Sequence, residues 1–431
     1  MKKLLMGLLL PIVAMVGFSS CNKTNEALAP ESIETRATIK NVPTIISTNT
    51  TWTANYVYRL RGKVFVTNGA TLTIKAGTKV MGAYNSNPKL ASALIVTPGS
   101  KIIANGTASA PIVMTAENGK KGGWGGLVIL GKAPINQKEA QLIEGIDESV
   151  LPTGVNVEQV KYGTPNGGGS CSESSGSLKY VRVEFAGASI SANNELNAFT
   201  FGGVGSGTTL SHLQAYHGAD DAFEFFGGCV NADHLVSTAT DDDAFDFDFG
   251  YTGKVTYAVA TIDRSMSYSS DPNGIECDND ALNNKKGSDN KPYTRPVLNY
   301  ITIVGTTDGR ITGGGGDKNN LGYLKSGANF RRNTQFELSN SVICGFPKGI
   351  LKETNNDFIL ENNYVTSTPK AGMEFATFTP DPSNLIENPL SDAFANPLTA
   401  EDLELLFDYS GVGAFANGSS WFTAGSWVKG Y

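Results

Sequence analysis

The sequence predicts an all-β fold, a parallel β-helix in which short strands stack coil upon coil, and three observations predict it. His212-Leu213 lies over His234-Leu235 when the chain is shifted by 22 residues, and Asp220-Asp221-Ala222-Phe223-Glu224-Phe225 then lies over Asp242-Asp243-Ala244-Phe245-Asp246-Phe247. Further copies are Asn273-Gly274-Ile275-Glu276-Cys277-Asp278 and the weaker Asn197-Ala198-Phe199-Thr200-Phe201. A repeat of this length is one turn of an array that cannot bury its apolar face alone. Within each copy the apolar residues alternate with period two: Phe223 and Phe225 face one way, Glu224 the other. Gly and Asx residues between the runs supply the turns.

In chain order, residues 1–20 read as an export leader, with Lys2 and Lys3 before an apolar run from Leu4 to Val16 that is short for a bilayer. Residues 21–45 lack periodicity in their first half and are assigned as a tether. The coil is assigned to 46–383. It opens on Val64-Phe65-Val66, Thr71-Leu72-Thr73-Ile74 and Ala93-Leu94-Ile95-Val96, separated by Gly-containing turns. Polar insertions are expected at Asn283–Arg295 and Gly309–Asn320. Residues 384–431, with a helical stretch from Ala400 to Phe407 and the indoles of Trp421 and Trp427, are expected to cap the open end.

Composition narrows the function. The chain has 431 residues, 49 of them glycine, 17% charged and a net charge of −7, which fits a strand-and-turn protein. With no basic stripe to neutralise phosphates, nucleic acid is excluded as the main partner. Gly126 to Ala133 nearly spells a phosphate-binding loop, but its middle is an apolar strand and its last residue offers no hydroxyl, so nucleotide binding is rejected. His212 and His234 should be ring neighbours on adjacent coils, and with His217 the only other histidine, no metal set is read from them.

The acidic repeat is the candidate site. Glu224, Asp246 and Glu276 should form one outward column, Asp248 and Asp278 a second pair two residues along, with Asp242 and Asp243 crowding the turn before it. Like charges directly opposite destabilise a sheet, and no Lys or Arg occurs from Leu210 through Gly253. Calcium is the compensating cofactor expected at these residues, since hard cations take carboxylate oxygens. The Asp-Asp pairs resemble strand starts of polygalacturonase-like hydrolases, but the accompanying Gly-His-Gly signature is missing. No catalytic residue is assigned. Of the cysteines after Cys21, four in number, Cys171 and Cys229 sit beside Gly-rich loops and are the candidate disulfide, while Cys277 replaces a core Phe and should be a buried thiol.

Two resemblances add to this. Phe18-Ser19-Ser20-Cys21 resembles the lipobox of bacterial lipoproteins, which implies acylation of Cys21. Gly69 to Thr78, Trp124 to Asn136, Ser177 to Glu184 and Phe223 to Gly228 are similar to signatures of secreted β-helix lipoproteins of Bacteroidetes, a family that includes a leptospiral outer-membrane lipoprotein group. The resemblance implies a right-handed, pectin-lyase-like helix held at the outer membrane by lipid. It implies no established reaction; the function expected is that of a non-enzymatic protein that binds a glycan, a protein or a TonB-dependent transporter, with a polysaccharide lyase or hydrolase and a structural stalk or adhesin as alternatives.

Overall fold

In the computed structural model, described residues are 38–367 and 411–431, apart from 147, 192–193, 264–265, 269–271, 281–288, 307–308, 314–320 and 355. The leader, Cys21, the Ala400–Phe407 stretch and residues 384–410 of the expected cap lie outside them. The chain winds as a right-handed parallel β-helix. Among the described residues its strands gather into a ten-stranded sheet and a sixteen-stranded sheet, parallel throughout, and two small side sheets hold antiparallel pairs.

The repeat sets the register. Phe199 pairs with Phe223, Phe223 with Phe245 and Phe245 with Ile275, while Phe201, Phe225, Phe247, Cys277 and Phe330 follow one another two residues along. These side chains point inward and are fully or almost fully buried. The rings stack along the axis, with centroids 5.0 Å apart for Phe201 and Phe225 and 5.2 Å for Phe225 and Phe247. In-register aromatics are a favourable way to fill such a core, because each ring meets its own counterpart.

The sixteen-stranded sheet is two faces that merge. Lys101–Asn105 and Ile112–Ala116 are separate strands, yet both pair with the single strand Gly176–Glu184. The corner within that long strand is Tyr180, at φ 50°. His212, His234, Tyr257 and Tyr300 repeat the corner at φ 55–58°, and Asn340 and Asn362 continue it where the strands part again. A left-handed conformation costs a side-chain-bearing residue about 1–2 kcal/mol. Ring stacking offsets it: Tyr180 to His212 is 4.4 Å, His212 to His234 4.3 Å, and Tyr257 to Tyr300 5.2 Å.

Two chain segments cover the outside. Residues 131–175 fold over the ten-stranded sheet, where Ile135, Ile143, Val160 and Tyr162 pack on Phe65, Ile95, Val128 and Phe226. Gly202 lets Tyr162 lie flat there, since a Cβ would meet the ring at 2.7 Å. Residues 411–431 lie along the flank of the sixteen-stranded sheet, not across its end. Trp427 is buried against Tyr180 and His212, and Gln214 holds the Lys429 backbone at both its N–H and its carbonyl, 2.8 Å each. Order also begins earlier than the assigned tether allows. Thr38–Asn41 is a strand paired with Tyr56–Arg59. Its four residues are all exposed, so no buried apolar alternation announces it; backbone pairing seats it, with the Lys40 ammonium 5.6 Å from the Tyr56 ring centroid.

Phe247→Ala removes a ring from the middle of the inward stack and should cost about 3–5 kcal/mol in urea titration. Asp246→Asn, one residue away on the opposite face, should cost far less in metal-free buffer. The reverse order would mean that the two faces are exchanged.

Candidate functional site

The outer face of the ten-stranded sheet carries one continuous column. Ile45, Phe65, Ile95, Val128, Thr200, Glu224, Asp246, Glu276, Asn329 and Leu351 are register neighbours in that order. The first four are apolar and belong under the 131–175 insertion. The next five are polar. The acidic column therefore lies on the face opposite the phenylalanines, as the alternation requires. It is not open to solvent along its length: Thr200, Glu276 and Asn329 are buried, and Glu224 and Asp246 keep only a partial edge.

A second row runs beside it at the turn. Asn197, Asp221, Asp243, Asn273 and Ser326 occupy corresponding positions, and their side chains bind successive coils. The Asp243 N–H donates to Asp221 Oδ1, the Asn273 N–H to Asp243 Oδ1, each at 2.8 Å, and the Ser326 N–H to Asn273 Oδ1 at 3.2 Å. At the two ends the amide also supplies a donor. Asn197 Nδ2 donates to Glu224, and Asn273 Nδ2 to Glu276 Oε2 at 3.2 Å. Asp221 and Asp243 keep the acceptor and lack the donor. Negative charge thus accumulates in the two middle coils.

The lower end is compensated by residues distant in sequence. Arg331 bonds Glu276, and its Nε lies 2.9 Å from Asp278 Oδ1; Arg332 reaches Asp278 Oδ2 at 2.6 Å, and Lys325 lies 4.0 Å from Glu276. Lys121 pairs with Asp241 at 3.0 Å. The expectation that the ladder lacks basic partners needs correcting there, because coils separated by an insertion in sequence are neighbours in space. Asp278 belongs to an arginine clamp, not to the candidate cation shell. Asp248 follows Phe247 as Asp278 follows Cys277, and the Asp278 N–H continues the ladder to the Phe247 carbonyl at 2.9 Å, so the two keep corresponding places on adjacent coils; Asp248 is buried and accepts the Phe249 N–H at 2.6 Å. Among the described residues, Asp220, Asp221, Glu224, Asp243 and Asp246 have no ion-pair partner.

Burial, with neighbouring carboxylates added, pushes Asp220, Asp221, Glu224 and Asp246 well above the ordinary carboxylate range. Asp243 rises to about 7 through burial and Asp242. Glu276 rises to about 8, through burial and Asp243 against the opposing pull of Arg331. Burial also works against the Arg331 charge, but Asp278 and Glu276 outweigh it and hold that guanidinium protonated.

Three overlapping sets have one oxygen each within 4.8 Å of one another: Asp220, Asp221 and Asp242; Asp221, Glu224 and Asp246; Asp243, Asp246 and Glu276. All the ligand atoms are oxygen, the chemistry of calcium or magnesium. Three sealed oxygens on the column have no partner: Thr200 Oγ1, Asp246 Oδ1 and Asn329 Oδ1. An orphaned buried acceptor costs about 1–3 kcal/mol, so the residues present fit a hard cation. Asp221, Asp220, Thr200 and Asn329 are members that sequence reasoning did not assign as ligands. The Asn-to-Asp exchange at Asp221 and Asp243 within the repeat was the available signal for the first.

The histidines form a different arrangement. His212, His234 and Asp233 come within the same reach. However, Asp233 Oδ1 is already taken by His234 Nδ1 at 2.5 Å and the Ser211 hydroxyl at 2.6 Å. The two rings lie 14° from parallel, so their in-plane lone pairs do not converge on one point. Burial, then His234, lowers the His212 pKa to about 4.

A family model described as a pectate-lyase-like β-helix domain matches residues 44–402. The chain belongs to that family. No curated protein and no solved structure matches it. The pectate-lyase-like β-helix establishes the scaffold and not a reaction. In this member Cys171 and Cys229 form a disulfide, while Cys277 and Cys344 are buried thiols. Burial pushes the Cys344 thiol up to about 12, far from nucleophilic use.

The raised carboxyl pKa values carry a sign. Between the unfolded value near 4 and the folded values of about 7 for Asp243 and about 8 for Glu276, the native state holds more protons than the unfolded one. Stability is then full below pH 4 for these groups and is lost as pH rises through 7–8. Thermal melts in chelator at constant ionic strength should give a higher melting temperature at pH 5 than at pH 8.

Proposed function

We propose that this chain is a lipid-anchored, non-enzymatic binding protein of the outer membrane, built on a pectate-lyase-like β-helix and carrying calcium in its acidic column. The observation that carries the non-enzymatic reading is the state of that column. Its carboxylates are packed among protein groups, and its nearest arginine is locked by Glu276 and Asp278. A polysaccharide lyase needs a base that can give up its proton, and a glycosidase needs two carboxylates facing an accessible bond. Neither demand fits a largely buried row whose nearest guanidinium is already ion-paired.

Anchoring rests on Cys21 and the apolar run before it. The Cys171–Cys229 disulfide agrees with an oxidising compartment outside the cytoplasm. The partner is a glycan, a protein or a TonB-dependent transporter docked on the long flank of the helix. A panel of polysaccharides, scored for both retention and product release, tests the reading. Binding without product supports it; turnover of any polymer overturns it in favour of a lyase or hydrolase.

Two outcomes belong to the anchor and the cation. Cys21→Ala should abolish labelling by palmitate and release the protein from the membrane fraction. Calcium at 100 times its dissociation constant should add about 2.7 kcal/mol of stability by mass action, read as a rise in melting temperature that chelator reverses.

A further inference from the structure

We propose that the acidic column holds two divalent cations side by side, with Asp246 bridging them. This rests on the calcium reading above and specifies how the site is filled.

The two upper-face sets share a member. Asp221, Glu224 and Asp246 form one, and Asp243, Asp246 and Glu276 the other. They are offset by one coil, and parallel strands stack about 4.8 Å apart. Two-metal sites hold their ions about 3.5–4 Å apart, so a carboxylate between adjacent coils is placed to serve both.

Charge gives the same count. Of these five carboxylates Glu276 already has Arg331. The other four have no ion-pair partner among the described residues. Two divalent ions balance them, whereas one would leave two negative charges in a poorly solvated row.

The orphaned oxygens carry the argument independently of charge. Thr200 is 0% exposed and stands beside Glu224 at the upper set; Asn329 is 2% exposed and stands beside Glu276 at the lower. Each has an oxygen with no partner, and so does Asp246 between them. The unpartnered atoms therefore fall above, between and below two positions, giving each cation a neutral oxygen of its own and a share of Asp246. The third set, Asp220, Asp221 and Asp242, has no such oxygen beside it, and Asp242 has partners of its own. Arg331 ends the row by taking the place that a third cation would have.

Equilibrium dialysis of the full-length protein in detergent against calcium, with bound metal counted per chain, tests this. Two ions per chain are expected. Asp246→Asn should lose both, while Asp221→Asn and Asp243→Asn should each retain one. Asn already occupies the equivalent rung at Asn197 and Asn273, so these two substitutions keep the backbone acceptor and the fold. If Asp246→Asn fails to fold by circular dichroism, the two rung variants still decide the matter. One ion in the unaltered protein overturns the pair and leaves the single-cation reading standing. No bound ion overturns both.

Discussion

Parallel strands stacked in register set every residue against its counterpart one coil away, at about 4.8 Å, and the rest of this molecule follows from that spacing. Inside, the rule is productive. Phe201, Phe225 and Phe247 form a column of rings whose centroids keep nearly the strand spacing, so one repeated choice of residue fills the core over several turns. Outside, the same rule is a difficulty. Glu224, Asp246 and Glu276 meet as neighbours for the same reason that the phenylalanines do. One repeat thus generates both the stacked aromatic core and the crowded acidic column.

The chain relieves the outer stacking in three ways along one column. Where the column is apolar, at Phe65, Ile95 and Val128, the 131–175 insertion covers it. At Glu276, arginine from the next coil supplies charge. In the middle coils neither remedy reaches, and Asp replaces the Asn donor that serves the flanking turns. A bound cation and retained protons are the two physical answers to such a row, and they oppose each other as pH changes. The left-handed corners show the same economy. Tyr180, His212, His234, Tyr257 and Tyr300 take an unfavourable backbone angle, and their rings recover the cost by stacking. The histidines thereby read as corner residues, with Asp233 and Ser211 satisfying their polar edges.

A scaffold shared with pectate lyases does not bring their chemistry with it. Two features of this member bear on access and protonation along the column. The Arg331 guanidinium, held by two carboxylates, stays charged, and the apolar part of the column is closed by an insertion. Both features depend on residues 131–175 and 325–332, which lie outside the repeat itself.

Periodicity by itself determined the coil, its register, the inward and outward faces and the pairing of His212 with His234, because a period-two pattern repeated at 22 residues has only one way to bury its aromatic half. It also placed Glu224, Asp246 and Glu276 in one column. It left open what lies beside that column. The arginines that claim Glu276 and Asp278 are 53–55 residues away in sequence. The strand at Thr38–Asn41 is seated chiefly by its backbone pairing, and residues 411–431 lie along the flank of the coil through contacts that include Thr302, Tyr257 and Arg182, 112, 160 and 244 residues earlier. Local alternation encodes which face a side chain takes. Which distant segment arrives to cover or neutralise that face is decided by tertiary packing, since such contacts leave no periodic trace in the chain.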